Sequence, residues 1–240
     1  MIFLFFILLL SGLVVAGYYQ FKGGANLATS TASPTTSPEV KFLLSSNAPN
    51  ATFAPNSIAG VPEPEVKKIK VGEKEVTQYP HFPGVYPADQ LKEKAGVIET
   101  SKGKIAFVLL GEEAPKAASN FAFLASHNFY NGLTFHRVVP GFVIQGGDPF
   151  GNGTGGPGYK FEDEMVKLQY KKGVVAMANS GPNTNGSQFF IMLEDNLSLP
   201  PSYTIFGEVI QGQEVVDKIA VGDIMDKVYL ANIVPASPNP

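Results

Sequence analysis

Residues 174–193, VVAMANSGPNTNGSQFFIML, carry the clearest structural pattern in this chain. Val174–Ala178 is an apolar run, and a second run with two phenylalanines spans Gln188–Leu193. The residues between them, 179–187, are all Asn, Ser, Gly, Pro or Thr. Apolar and aromatic runs bounded by turn-forming residues are typical of two short strands joined by a loop. Taken alone, the pattern is also consistent with an ordinary loop beside a phenylalanine core.

The same alternation of short runs and turns continues on both sides of this stretch. Gly96–Thr100 and Lys104–Leu110 alternate around Ser-Lys-Gly, which predicts two strands and a tight turn. Apolar side chains recur at helical spacing over residues 115–126, with Pro115 near the start, and predict an amphipathic helix. A second short helix is predicted at Gln213–Ala220, and further strands at Thr134–Val139, Phe142–Gln145, Thr204–Ile210 and Val228–Val234. Seven or eight short strands with two helices indicate a mainly all-β domain, a β-barrel capped by helices.

Composition excludes several functional classes. The chain of 240 residues carries 18 basic and 21 acidic side chains, and a net charge of −3 does not favour an electrostatic nucleic-acid binder. Cysteine is absent, which excludes disulfides, thiolate metal sites and thiol catalysis. The three histidines, His81, His127 and His136, have no i,i+4 spacing. We therefore expect neither a metal nor a cofactor.

The segment 1–22 contains an uncharged apolar run, Ile2–Tyr19. As a helix its 18 residues would extend about 27 Å, close to the thickness of the hydrocarbon core of a bilayer. We expect an N-terminal transmembrane anchor with the C-terminal folded domain extracytoplasmic. A cleaved signal peptide, which would leave a secreted protein, and a soluble core helix remain alternatives.

Residues 23–65 differ sharply in composition from the C-terminal part of the chain. Of these 43 residues, 31 are Gly, Ala, Asn, Thr, Ser or Pro, a composition that predicts a disordered, flexible linker. Residues 66–90 form a transition segment in which apolar and charged residues alternate, and a small hairpin and a solvated charged stretch are both consistent with it. We expect the folded domain to occupy residues 91–240.

A glycine-rich stretch, GNGTGG at residues 151–156, matches the G-x-G-x-x-G pattern of dinucleotide-binding loops. That pattern needs a helix directly after it. Here Pro157 and Gly158 come next, without helical periodicity. The stretch therefore predicts a long surface loop.

Arg137 is the only arginine in a chain with 17 lysines, and it lies in the run FHRVVPGFVIQGGD at residues 135–148. A planar guanidinium is needed where a lysine cannot replace its donor geometry. One interpretation is a functional donor on a concave face shared with Gln145. The other is a structural arginine that pairs with a buried carboxylate such as Asp148.

Together these blocks resemble the signature sequences of the cyclophilins, the cyclophilin-type peptidyl-prolyl cis-trans isomerases. FHRVVPGFVIQGGD, GNGTGG and MANSGPNTNGSQFFI occur in that order, and the helix block EAPKAASNFAFL at residues 113–124 fits as well. The resemblance covers residues 95–237. It implies an eight-stranded antiparallel β-barrel capped by two α-helices, and catalysis of rotation about X-Pro bonds (rotamase activity) that assists protein folding.

The resemblance also implies the site. Arg137 corresponds to the catalytic arginine, and Gln145 to the amide that orients the substrate carbonyl. The apolar pocket for the proline ring corresponds to Phe142, Val143, Phe190 and Leu199. The peptide is expected to lie along Ala178, Asn179 and Ser180, with Gly153 and Gln188 at the groove rim.

The chain departs from the family where many members carry a tryptophan and a histidine. Ser198 aligns with the tryptophan position and Tyr203 with the histidine position. Tyr203 keeps an aromatic ring in the pocket wall, so isomerisation is expected to survive. The tryptophan assists binding of cyclosporin in the family, so we expect that binding to be weak here.

Rotation about a prolyl bond breaks no covalent bond, so the reaction needs neither nucleophile nor metal. The barrier of about 18–20 kcal/mol comes from amide resonance. A donor aimed at the nitrogen of the twisted amide stabilises that state over the planar one. The expected partners are proline-containing polypeptides, and the membrane through the N-terminal helix, with a monomeric catalytic domain. The alternative is a non-catalytic chaperone or assembly module that binds proline peptides in the same groove.

Overall fold

A computed structural model of the chain describes residues 55–56 and 65–233. The predicted anchor at residues 1–22 and nearly all of the predicted linker lie outside the described residues. Within the described ranges, no helix has both the length and the apolar character needed to cross a bilayer.

The described residues form thirteen strands and three helices. The strands are β1 (Pro55–Asn56), β2 (Lys67–Val71), β3 (Lys74–Gln78), β4 (Lys94–Thr100), β5 (Gly103–Leu109), β6 (Leu133–Thr134), β7 (Arg137–Val139), β8 (Val143–Gly146), β9 (Val174–Met177), β10 (Phe189–Met192), β11 (Ile205–Gln211), β12 (Ile224–Met225) and β13 (Lys227–Asn232). The helices are α1 (Ala88–Leu91), α2 (Pro115–Ser126) and α3 (Gln213–Val216).

The main sheet is antiparallel and curls into a half-barrel, in the order β1-β13-β4-β5-β11-β9-β10-β8-β7. Without the two-residue β1 it has eight strands, so the prediction of a mainly β, eight-stranded antiparallel fold is confirmed at this level. The predicted closure is not found, since β7 is a free edge of the described sheet. The single strand predicted at 134–139 is interrupted at residues 135–136. Its first part, β6, pairs with β12 in a separate two-stranded sheet.

Aromatic packing between α2 and the inner face of the sheet forms the core. Phe121 of α2 lies 5.0 Å from Phe107 of β5 and 5.9 Å from Phe189 of β10, in edge-to-face geometry, and all three rings are fully buried. Such pairs add to the stabilisation that burial provides. The prediction of a helix at 115–126 is confirmed.

The second predicted helix is shorter than the sequence indicated. α3 ends at Val216, whereas the periodicity predicted a helix to Ala220. The N–H groups of Lys218 and Ile219 donate to carbonyls three residues earlier, which replaces α-helical turns by tighter ones. The side chain of Asp223 then accepts the N–H of Ala220 at 2.7 Å and stabilises the following turn.

Of the two interpretations of residues 66–90, a small hairpin and a solvated charged stretch, the structure shows the hairpin. Its strands β2 and β3 pair antiparallel. Val76 on this hairpin is buried, as are Tyr79 and Tyr86 on the chain that comes after it. The N–H of Tyr86 donates to the Oγ of Ser119 on α2 at 2.9 Å. Burial raises the pKa of the Tyr86 hydroxyl to about 12. The domain start at residue 91 stays a prediction, but this earlier segment packs on the same core.

Candidate active site

One row of residues crosses four neighbouring strands on the face opposite the core. Arg137 of β7 is opposite Gln145 of β8, Gln145 is opposite Phe190 of β10, and Phe190 is opposite Ala176 of β9. Side chains of directly paired residues lie on the same face of a sheet. The register therefore brings the predicted arginine, amide and phenylalanine into one line.

A chain of hydrogen bonds joins the polar members of this face. Nη1 of Arg137 donates to Oε1 of Gln145 at 3.1 Å, and Nε2 of Gln145 donates to Oε1 of Gln188 at 3.0 Å. Nε2 of Gln188 in turn donates to the carbonyls of Gly153 and Gly155, both at 2.9 Å. Arg137 is exposed, and its bond to Gln145 uses only one of the several N–H donors of the guanidinium. The remaining N–H groups of the guanidinium can face a ligand.

The alternative partner for Arg137, Asp148, is engaged elsewhere. Its carboxylate is buried and accepts the N–H groups of Phe150 at 2.7 Å, of Asn152 at 2.9 Å, and of Gly153. Asp148 thus holds the start of the glycine-rich loop, whose carbonyls hold Gln188. No helix comes directly after this loop in the described structure, so the prediction of a surface loop at residues 151–156 is confirmed.

An apolar pocket adjoins Arg137 and Gln145 on the same face. Val143 and Phe190 are buried in it, and Phe142, Leu199 and Tyr203 pack against them while half-buried. The ring of Tyr203 stands edge-on to Phe190 at 5.6 Å. This cluster is thus an apolar surface, partly open to solvent, whose composition suits a small ring.

Tyr203 is fixed by a residue that the sequence analysis missed. The hydroxyl of Tyr170 donates to the carbonyl of Tyr203 at 2.9 Å and accepts its N–H at 3.0 Å. Tyr170 is buried beneath the pocket. Nothing in the sequence pattern singled it out, because the contact joins residues 33 positions apart. The exposed Ser198 instead donates its hydroxyl to Oδ1 of Asn196 at 2.9 Å.

The other wall of the groove is formed by Ala178, Asn179 and Ser180. The N–H of Ala178 donates to the carbonyl of Gln188 at 2.9 Å, and Nδ2 of Asn179 donates to the carbonyl of Ser202 at 2.8 Å. The N–H of Ser180 donates to Oγ1 of Thr184 at 2.8 Å. Within the described residues, the main-chain N–H and C=O of Asn179 make no hydrogen bond. They remain available to an extended peptide.

His136 is the sequence neighbour of Arg137, and its titration responds to the burial and the charges around it. Both ring nitrogens are buried and lack a hydrogen-bond partner within the described ranges. Burial lowers the pKa of His136, and the positive charge of Arg137 lowers it further against the opposing effect of Asp148. The neutral imidazole is therefore favoured. No cluster of three or more His, Asp or Glu side chains suited to a metal occurs in residues 55–56 and 65–233.

An open cavity of about 790 Å³ continues the groove away from the apolar pocket. It begins at Gln145 and Gln188, passes the glycine-rich loop, and reaches Gln78 at the end of the β2–β3 hairpin. Gln78 is one of several lining residues that sequence reasoning did not assign to the site.

Comparison with known proteins places this geometry in a family. The family model for the cyclophilin type peptidyl-prolyl cis-trans isomerases matches residues 96–235. A peptidyl-prolyl cis-trans isomerase of Helicobacter pylori is 46% identical over 139 residues, which cover 56% of this chain and 85% of the relative. Peptidyl-prolyl cis-trans isomerase B of Bacillus subtilis is 49% identical over 127 residues, covering 52% of this chain and 89% of the relative.

Solved structures agree with the sequence relatives. The crystal structure of a cyclophilin type peptidyl-prolyl cis-trans isomerase of Cryptosporidium parvum superposes with a TM-score of 0.50 at 35% identity, and covers 61% of this chain and 99% of that one. The same protein in the presence of the dipeptide Ala-Pro gives 0.50 at 36% identity, with 60% and 99% covered. The chain therefore belongs to the family of cyclophilin-type peptidyl-prolyl cis-trans isomerases.

Proposed function

We propose that this isomerase acts on X-Pro bonds of polypeptides through Arg137, with Gln145 and the apolar pocket holding the substrate. The register that aligns Arg137, Gln145 and Phe190 across three strands carries this proposal. It sets a guanidinium and an amide beside an apolar floor on one open face. The Ala-Pro dipeptide used with the Cryptosporidium parvum relative is a minimal ligand of the same chemical class.

The proposed mechanism relies on a change in the substrate nitrogen. In the planar amide its lone pair is delocalised, and twisting the bond returns the pair to the nitrogen. An N–H of Arg137 directed at this nitrogen then gains a hydrogen bond only in the twisted state, and such differential binding lowers the barrier. Gln145 orients one N–H edge of the guanidinium through its 3.1 Å bond. The pocket around Phe142 and Phe190 holds the ring while the adjacent carbonyl rotates.

The peptide itself is proposed to lie along Ala178–Ser180, where the free main-chain groups of Asn179 can form a short antiparallel pairing with it. Gly153 and Gln188 form the opposite rim, held by the bond from Nε2 of Gln188 to the glycine carbonyl. Leu199 and Tyr203 close the pocket from the side.

The full chain should accelerate cis-trans exchange of a short X-Pro peptide, measured by two-dimensional NMR exchange spectroscopy, while Arg137→Ala should remove most of this activity. Lys116→Ala is the matched control: it deletes a cationic side chain that forms an ion pair with Glu162 at 3.0 Å and lies outside the groove. A folded parent without exchange activity would favour the non-catalytic binding module.

We also propose that residues 1–22 anchor the protein in a membrane and that residues 23–65 tether the domain 91–240 outside the cytoplasm. The uncharged run Ile2–Tyr19 and the Pro- and Ser-rich composition after it support this. The full chain should resist alkaline extraction from membranes and should be accessible to an external protease. Release of a shortened soluble chain would instead indicate signal cleavage.

A further inference from the structure

The glycine-rich loop contains an Asn-Gly step, Asn152-Gly153, whose hydrogen-bond partners are arranged for a reaction of the chain with itself. We infer that Asn152 is a site of spontaneous deamidation, at which water converts the asparagine to aspartate or isoaspartate without an enzyme. This modification goes beyond the proposed function, because it uses the loop and not the proline pocket.

The reaction begins with attack of the main-chain nitrogen of Gly153 on Cγ of the Asn152 side chain. The lone pair of the nitrogen forms the new N–Cγ bond, and the N–H gives up its proton. The Cγ–Nδ2 bond breaks, and Nδ2 takes up a proton and leaves as ammonia. Water then adds to one of the two carbonyls of the resulting five-membered succinimide and opens it to aspartate or isoaspartate. Glycine favours the attack because it has no Cβ to crowd the approach.

Hydrogen bonds within the loop act on both reacting groups. The N–H of Gly153 donates to Oδ2 of the buried Asp148, so a carboxylate is in place to take the proton as the nitrogen attacks. Oδ1 of Asn152 accepts the N–H of Thr154 at 3.0 Å and the Thr154 hydroxyl at 2.7 Å. These two donors stabilise the negative charge that develops on Oδ1 in the tetrahedral intermediate.

The leaving group and the space around the nucleophile are open. Asn152 and Gly153 are exposed, and Nδ2 of Asn152 makes no hydrogen bond to any residue that the structure describes. The φ of Gly153 is +89°, and a Cβ at this position would meet no atom within 4 Å. The five-membered ring can therefore close without displacing a neighbour, and ammonia can leave into solvent.

Two other Asn-Gly steps among the described residues lack this arrangement. Oδ1 of Asn131 accepts the N–H of Val228 at 2.8 Å, and its Nδ2 donates to Oδ1 of Asn128 at 3.1 Å. Asn185 is fully buried, and its Nδ2 donates to Oδ1 of Asp163 at 2.8 Å. In both residues the nitrogen that would have to leave is held by a hydrogen bond. Asn131 and Asn185 therefore serve as internal controls.

Conversion of Asn152 would alter the rim of the groove. Isoaspartate adds a methylene to the main chain, and either product sets a second negative charge beside that of Asp148, which is unfavourable. The bond from Gln188 to the carbonyl of Gly153 depends on the position of this stretch. We expect kcat/KM of the converted chain to be about three- to tenfold lower, and this consequence alone rests on the proposed function.

The test is incubation of the full chain at pH 8 and 37 °C, with the products at residue 152 measured by peptide mass spectrometry and by isoaspartyl methyltransferase labelling. A synthetic peptide of residues 148–156 gives the rate in the absence of the fold. Asn152 in the full chain should convert at least as fast as in this peptide, whereas Asn131 and Asn185 should stay unchanged over the same period. Thr154→Val should slow conversion about three- to tenfold, the effect of one hydrogen bond, and Thr154→Ser, which keeps the hydroxyl, should match the parent.

Slower conversion of Asn152 in the full chain than in the peptide, or equal rates in Thr154→Val and Thr154→Ser, would overturn the inference. Asn152→Gln, in which attack would have to form a six-membered ring, should keep its initial activity through the incubation while the parent loses activity. Equal losses in both chains would overturn the effect on the groove. A parent inactive before incubation would instead contradict the proposed function, and the rates of deamidation would still decide the modification.

Discussion

Replacing Asp148 by asparagine should loosen the glycine-rich loop and weaken the groove without touching Arg137. One carboxylate oxygen accepts the N–H of Phe150, and the other accepts those of Asn152 and Gly153. An asparagine has one acceptor oxygen in this plane, so its NH2 group must face at least one of the three donors. The retained bonds also change from charge-assisted to neutral.

The expected cost can be worked out from these bonds. A buried donor left unsatisfied costs about 1–3 kcal/mol, and loss of the charge weakens each retained bond by about 1 kcal/mol. Because Asn152 and Gly153 are exposed and can bind water, we expect a loss of about 2–4 kcal/mol. For a domain of this size that corresponds to a fall in Tm of about 5–15 °C. Since the loop holds Gln188, kcat/KM should fall by about three- to tenfold.

Thermal unfolding followed by circular dichroism and peptide exchange at 10 °C would measure both effects of Asp148→Asn. Asp223→Asn is the control, because it also weakens a bond to a backbone N–H, that of Ala220, together with the ion pair to Lys102, and neither of these side-chain partners belongs to the groove. It should lower Tm and leave kcat/KM unchanged. An unchanged Tm for Asp148→Asn with activity as low as that of Arg137→Ala would refute the reasoning and would indicate that Asp148 acts on Arg137.

Three further predictions concern buried polar groups. Tyr170→Phe removes both hydrogen bonds to the backbone of Tyr203. In steady-state kinetics, KM for the peptide should therefore rise about two- to fivefold while kcat stays nearly constant. A fall in kcat with unchanged KM would contradict this. Asn120→Leu leaves the Tyr159 hydroxyl and the Gly186 carbonyl without their bonds at 2.6 and 2.8 Å, and should cost about 2–4 kcal/mol in urea unfolding. Burial lowers the pKa of His136 in the folded chain. As the pH falls below about 6.5, the unfolded chain therefore binds a proton at this histidine before the folded chain does, and the free energy of unfolding should decrease. His136→Phe should make the free energy of unfolding less dependent on pH below about 6.5. A pH dependence equal to that of the parent would show that other groups cause the loss of stability.

The secondary structure could be predicted from the sequence wherever the pattern lies within neighbouring residues. The run 174–193 predicted two strands and a loop because apolar residues and turn formers alternate within twenty positions. The amphipathic period placed α2 at Pro115–Ser126, as observed. The predicted polar residues Arg137, Gln145 and Gln188 do lie together, joined by hydrogen bonds. Their roles in catalysis stay predictions.

The features that the sequence did not predict depend on contacts between distant residues. Tyr170 meets Tyr203 only because the chain passes back beneath the pocket. The partner of Asp148 could not be chosen from the sequence, because an acidic residue near Arg137 is compatible with an ion pair and with a loop anchor. The single strand predicted at 134–139 is divided in two because β6 pairs with β12, a partner some 90 residues later in the chain.

The central claim is that Arg137 stabilises the twisted amide and not the planar ground state. Its most direct test is to measure, for Arg137→Ala and the parent, both the Kd of an X-Pro peptide by NMR titration and the exchange rate of the saturated peptide. We predict that the saturated rate falls by about 10- to 1000-fold, as when a transition-state donor is removed, with Kd changed by less than about threefold. Equal losses in affinity and in rate would contradict this account.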